Sequence, residues 1–315
     1  MGAAALGSRA IIGTFYETLQ QALGQGWIPQ LGMHVDSNQE SETYKWLGMS
    51  PAMREWIGGR DAKGLRENGL TIVNKTFEAT MYVLVDEIRR DKTGQVMLRI
   101  KEMADRTASH WAKLVSTLIA AGGSAPCYDG LNFFSATHAE NDSGTLTNLL
   151  TSSDYGALNV GTAAAPTADE MAAILLNLVG HFYTFKDDQG EPLNELATHF
   201  LIMVPVNMWG PAKTAVTANL LNTGSGSRDN PLKDMGISID VAVNPRLSAT
   251  DEIYAFRTDG RVKPFILQEE EGVKMSAIAE GSEEEFMNKR HLYGVSAIRN
   301  AGYGLWQHAI KATLS

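Results

Sequence analysis

From Phe77 to Val85 apolar and polar positions alternate. Phe77, Ala79, Met81, Val83 and Val85 interleave with Glu78, Thr80, Tyr82 and Leu84. A period of two predicts a strand. Just before it, Asn68-Gly69 suits a two-residue hairpin turn, whose central positions need positive φ. Residues 51–85 therefore read as a long two-stranded ribbon. Such a ribbon cannot bury both faces by itself, so something outside it must cover it.

Further on the period changes. Val96, Ile100, Met103, Thr107, Trp111, Leu114 and Leu118 recur at steps of three and four, which predicts one helix over 95–121. At 1.5 Å per residue it would be ~39 Å long, a spine rather than an ordinary helix. Gly122-Gly123 supplies a left-handed stop for it. After Pro166, Thr167 and Glu170 have capping-box spacing and open a helix striped by Met171, Ile174, Leu175, Leu178 and Phe182. "HFLIMVPV" reads as a buried strand, and Asn207 as the cap of a helix reaching Leu221. "GISIDVAVNP" and the segments 252–257 and 263–268 read as further strands. The first 42 residues show only weak helical periodicity, then a polar stretch without period. They predict an extended arm with a short helix, too thin to bury much against its own chain. Helices and strands do not alternate strictly, so the class is α+β.

Composition narrows what such a chain can do. With 44% hydrophobic and 20% charged residues, the 315-residue chain can build a packed core and is not disordered. The formal charge of −9 argues against a protein built to grip phosphate backbones. The lone cysteine, Cys127, excludes an internal disulfide framework. No stretch reaches the ~18 apolar residues of a membrane span. The first residues lack the charged and apolar regions of a secretion signal, so synthesis in the cytoplasm is expected.

Candidate chemistry is thin. Cys127 and His138 could form a thiol–imidazole pair, but no third orienting group is identifiable, and cysteine is commonly a small buried apolar residue. The seven histidines show no HxxxH or HxH spacing for zinc. "NTGSGS" lacks the Lys-Ser/Thr of a phosphate loop, and "NAGYGLW" falls short of GxGxxG. The glutamates at 269–271 and 283–285 read as solvated or interaction surface. The expectation is no catalytic, cofactor or metal site. "PAMREWIGGRDAKGL" is different. It sets Trp56 among Arg54, Arg60 and Lys63, residue types that anchor protein interfaces, and a contact between chains is preferred over stacking on single-stranded nucleic acid.

"TYKWLGMSPAMREWIGGR", "NGLTIVNKTFEATMYVLVDEIRRD", "CYDGLNFF" and "NAGYGLWQHA" follow one another in an order that resembles the Mu-like phage major head subunit, the gpT type. The likeness runs from about residue 43 to the end, and departs where "SATHAE" stands for a family-like "DTDHP". It implies the Hong Kong 97 type capsid fold: an N-terminal arm (1–42), an E-loop (43–92), a P-domain with the spine helix (93–164), an A-domain (165–250), and C-terminal strands shared between the last two (251–315). It also implies a non-enzymatic protein that self-assembles into pentamers and hexamers of an icosahedral virion shell. That shell would enclose double-stranded DNA without sequence-specific binding, and would be built in the bacterial host cytoplasm with scaffold, portal and decoration proteins. Arg54, Trp56, Arg60, Lys63, Arg66 and Asn68 would then be inter-subunit contacts, and Gly224, Gly226 and Arg228 an axial loop. The acidic run 269–285 would meet cations of an arm or E-loop. An encapsulin-like compartment shell and a cytoplasmic enzyme with an unrecognised site are the alternatives.

Overall fold

The computed structural model describes residues 7–45, 47, 69–90, 94–223, 226–233 and 235–315. The chain opens with α1 (Ser8–Ala22), the single turn α2 (Ile28–Leu31), β1 (Gly32–Asp36) and β2 (Ser41–Tyr44). Next come β3 (Leu70–Val73), β4 (Lys75–Leu84), α3 (Val85–Arg90), α4 (Gln95–Ala108) and α5 (His110–Ala121). The short strands β5 (His138–Ala139), β6 (Thr145–Leu146) and β7 (Leu149–Leu150) precede α6 (Ala168–Phe182), β8 (His199–Val204) and α7 (Trp209–Thr217). Then follow β9 (Leu220–Asn222), β10 (Ser227–Asp229), β11 (Ser238–Val243), β12 (Glu252–Arg257), β13 (Phe265–Ile278), α8 (Glu283–Asn288), β14 (Arg290–Tyr303) and β15 (Ala309–Thr313).

Two sheets carry the architecture. One has the order β1-β13-β14-β4, the other β11-β8-β12-β15-β7. The chain passes from the first to the second directly, out of β14, through Gly304–His308 and into β15. A Cβ on Gly304 would lie 2.2 Å from the Lys263 carbonyl oxygen, so only glycine fits this crossing. Helices α6 and α7 pack on the five-stranded sheet and α5 packs on β14, all around one large apolar core. A second, smaller core lies between α1, α4 and the four-stranded sheet. The β13–β14 ladder is long and irregular, with register shifts between Glu269 and Glu271 and between Glu271 and Lys274.

Locally encoded elements form as expected. Thr167 and Glu170 make the reciprocal capping box of α6, and Met171, Ile174, Leu175, Leu178 and Phe182 are all fully buried. Elsewhere the fold departs from the sequence reading. The arm is not extended. Ile11, Phe15 and Leu19 of α1 bury against Val96, Ile100 and Ala104 of α4 and against Met275, Tyr293 and Val295 of the sheet. Each such side chain contributes roughly 1.5–3 kcal/mol by leaving water. The Tyr16 hydroxyl accepts a hydrogen bond from the Met275 N–H at 2.9 Å, and Ser8 binds the Glu280 carboxylate. β1 then adds a parallel edge to β13. Residues 7–36 thus belong to their own subunit's body.

The spine is two segments, with a one-residue break at Ser109. Thr107 and Ser109 return their hydroxyls to the Met103 and Arg106 carbonyls, and such back-bonding competes with the helical ladder. Gly122 is right-handed (φ −60°) rather than a left-handed stop. A Cβ there would sit 2.5 Å from the Phe134 ring, so close packing is what requires glycine. Asn207 caps no helix, because its amide donates to the Ala164 and Thr250 carbonyls at 2.6 and 2.8 Å. The strand at 77–85 is real, as β4, but its partner is β14, some two hundred residues on. Lys75 faces Arg299 and Leu84 faces Arg290.

Candidate assembly surfaces

Arg54, Trp56, Arg60, Lys63, Arg66 and Asn68 lie outside the described residues. What the structure does show is the base from which residues 46–68 depart. β2 and β3 pair antiparallel with Tyr44 opposite Leu70, so the chain leaves and returns at adjacent points. Gly69 is not in the left-handed region that the predicted turn requires. Its Cβ would instead lie 2.7 Å from the Tyr44 carbonyl oxygen. Beneath this base sits Gln268, fully buried on β13. It accepts from the Tyr44 hydroxyl at 2.8 Å and donates to the Ile72 carbonyl at 3.2 Å and to Asn74 Oδ1 at 2.8 Å. Burial, with the nearby Glu42, pushes the Tyr44 phenol up to about 12, so it stays a donor. A saturated buried amide fixes geometry, because losing any one partner leaves a desolvated polar group.

Of the predicted axial loop, Gly224 lies outside the described residues. Gly226 closes the β9–β10 turn, accepting from the Thr223 N–H at 2.9 Å. Arg228 reaches the first turn of α6, 2.6 Å from Asp169. The buried Asn230 donates to the Ala215 and Ala218 carbonyls at 2.6 and 2.7 Å, holding the same hairpin to α7. Leu220 on β9, Val206 just before α7 and Trp209 at its start stand more than half exposed.

A second exposed surface was not read from the sequence. At the far end of the four-stranded sheet Phe286 is 86% and Met287 68% exposed, with Tyr82, Leu84 and Ile278 on the strands beneath. The acidic run around them has partners of its own. Lys274 pairs with Glu271, Arg290 with Glu284 at 2.9 Å, and Arg299 with Glu269 at 3.8 Å. Glu285 accepts from the Gly281 N–H at 2.6 Å, closing the turn into α8. Glu284 and Glu285 thus organise the turn and helix at the tip, and Glu269 and Glu271 have partners along the strands. The sequence signal was "EEEFMN", where two large apolar residues follow three acids on a helix too short to bury them.

The Cys127–His138 pair acquires a third group, but in the wrong place for a nucleophile. Asp129 sits between them, its Oδ1 accepting from the Cys127 thiol at 3.0 Å and its Oδ2 lying 2.6 Å from His138 Nδ1. No imidazole reaches the sulfur to take its proton. Burial and then the Asp129 charge push the thiol well above its ordinary value. Burial alone would raise Asp129, yet hydrogen bonds from His138 and Cys127 hold it below the usual carboxylate range. The His138 ring stacks on Trp306, 4.0 Å between centroids and 5° apart in plane.

Two other histidines make stability depend on pH. Burial, then Arg299 and Lys113, lowers His110 to about 4. Burial, then Arg257, lowers His308 to about 4. Both titrate near 6.5 in the unfolded chain. Between these values the unfolded chain binds more protons, so stability is complete above about 6.5 and falls as pH drops toward 4. Urea midpoints measured across that window should decline with acidity, and His308→Gln should flatten the slope. A flat wild-type profile would contradict both assignments.

The fold has close counterparts among solved capsids. It matches the subunit in the procapsid of bacteriophage JBD30 with a TM-score of 0.54 at 22% identity, over 98% of this chain and 75% of that one. It matches the virus-like particle of Pyrococcus furiosus with a TM-score of 0.56 at 8% identity, over 96% and 98%. The architecture is therefore the α+β fold of phage capsid subunits, of the Hong Kong 97 type. In sequence, 109 residues are 37% identical to the major capsid protein of Escherichia phage Mu, covering 35% of this chain and 36% of that protein. That match spans about a third of the relative's length. Among the described residues no helix is long and apolar enough to cross a membrane. The family described as Mu-like prophage major head subunit gpT matches residues 8–163 and 228–315, which take in both edges and the centre of the four-stranded sheet, and the chain belongs to that family.

Proposed function

We propose that this chain is the major head subunit of a Mu-like phage or prophage, a structural protein whose copies close into an icosahedral shell of pentamers and hexamers around double-stranded DNA. The observation that carries the reading is the family match on either side of 164–227. Physical features support it. Among the described residues β4 is an edge strand of its sheet, and edge strands are ready to pair with another chain. Apolar side chains are exposed on separate elements, at Trp209 of α7 and at Phe286 of α8. Two unlike patches on one subunit suit head-to-tail contacts, which close into rings. In such a shell residues 43–92 serve as the E-loop that reaches a neighbour, 93–164 as the P-domain, 165–250 as the axial domain, and 251–315 as strands shared between them. Arg54, Trp56, Arg60, Lys63, Arg66 and Asn68 make the lateral contact, and Gly224, Gly226 and Arg228 lie toward the ring axis. A net charge of −9 suits a wall that holds DNA without clamping it. Assembly takes place in the host cytoplasm with scaffold, portal and decoration proteins.

The test is size. Expressed with its assembly partners, the protein should sediment as particles of many megadaltons and show closed shells in electron micrographs. A small, discrete oligomer under the same conditions would overturn the proposal.

A further inference from the structure

We propose that Cys127, Asp129 and His138 form a binding site for a thiophilic divalent transition ion, with zinc the ion whose chemistry it suits. Their ligand atoms, one from each residue, lie within 4.8 Å of one another. One thiolate, one imidazole and one carboxylate is a donor set typical of zinc and poor for magnesium or calcium, which prefer oxygen alone. The site is built rather than incidental. Cys127 and Asp129 sit on one tight turn, closed by the Cys127 N–H to the Leu131 carbonyl at 2.8 Å and by Gly130 at φ +85°. His138 enters from β5, which the turn faces, and Trp306 fixes its ring plane. The His138 side chain is fully buried, yet its Nε2 has no hydrogen-bond partner. The ring meets the other two donors through Nδ1, 2.6 Å from Asp129 Oδ2, so Nδ1 is the nitrogen that ligates and Nε2 points away from the ion.

The spacing fits a proton-for-metal exchange. The Cys127–Asp129 and Asp129–His138 gaps are 3.0 and 2.6 Å. Metal–ligand bonds of ~2.0–2.3 Å place tetrahedral ligand atoms about 3.4 Å apart. The cluster therefore opens by less than about an ångström when the ion enters. The Cys127 thiol gives up its proton to solvent, and thiolate plus carboxylate together neutralise the dication. A water completes the tetrahedron. The bound ion ties the 127–131 turn to β5, beside the Trp306 segment that links the two sheets, and so stabilises the folded chain by mass action.

The experiment uses the full chain, with zinc and cobalt(II) as probes. After incubation and gel filtration, wild type should retain about one zinc per chain, as a single site requires. The cobalt form should show a sulfur-to-cobalt charge-transfer band in the near ultraviolet. Cys127→Ser is nearly isosteric and should abolish the band. Asp129→Asn should weaken zinc retention by more than about 10-fold, the effect found even for groups outside the ligand shell. Zinc should also raise the melting temperature of wild type and leave that of Cys127→Ser unchanged. Zinc retained equally by Cys127→Ser, or folded wild type that holds none, would overturn the proposal.

Discussion

Replacing residues 48–68 with a two-residue Asn-Gly linker should leave a folded, soluble subunit that no longer closes into shells. Tyr44 and Leu70 already face each other across β2 and β3, so a short loop can join the strands without moving them. Gln268 holds the base from below, and Leu47, buried in the main core, stays in place. Shortening the loop lowers the entropy lost on closing it, by about 1 kcal/mol in favour of the folded state. Thermal and urea unfolding should therefore match wild type or exceed it. Assembly should fail, because Arg54, Trp56, Arg60 and Lys63 leave with the segment. Shells of normal appearance from this deletion would sink the assignment of the lateral contact. Unfolding of the isolated subunit would mean that 48–68 belongs to the core.

Phe15→Ala is expected to destabilise the isolated subunit by ~3–5 kcal/mol, the usual range for deleting a buried aromatic ring. Phe15 is fully buried, and its neighbours on α4 and the sheet are themselves closed to solvent, so the cavity cannot collapse easily. Two accounts of the N-terminal segment part company here. If α1 lies on its own subunit, urea unfolding of dispersed chains registers the whole loss. If it belongs on a neighbour, dispersed chains are indifferent and only shells weaken. The structure supports the first account, and equal stability of wild-type and Phe15→Ala subunits would refute it.

Where determinants are local, the sequence was readable. The α6 cap and stripe are set within a few turns of chain, and they form as the spacing predicts. The period-two run of β4 was equally plain, but its partner was not. Side-chain alternation says that a strand has two faces, and nothing about which edge it meets, and β14 lies far along the chain. Glycines misled for a related reason. Gly69 and Gly122 invite a conformational reading, whereas what demands them is the Tyr44 carbonyl and the Phe134 ring, both visible only after folding. The α1 stripe was weak because a solvent-facing helix of this length needs only three buried positions, Ile11, Phe15 and Leu19, to dock. Of the candidate surfaces, "REWIGGR", which lies outside the described residues, was singled out by composition alone. The Phe286 tip was not, since a short helix carries no usable period. Asp129 escaped notice because its role depends on a turn that swings it between Cys127 and His138.

The irregular ladder between β13 and β14 has a geometric consequence. Two register shifts within a few residues interrupt the ladder and increase local twist. The ribbon therefore bends near Glu271, and that bend sets the angle at which the outer tip with Phe286 leaves the inner body. In the proposed shell, a bend built into the ladder itself would fix how the tip is presented to a neighbour, with no change to the packed interior.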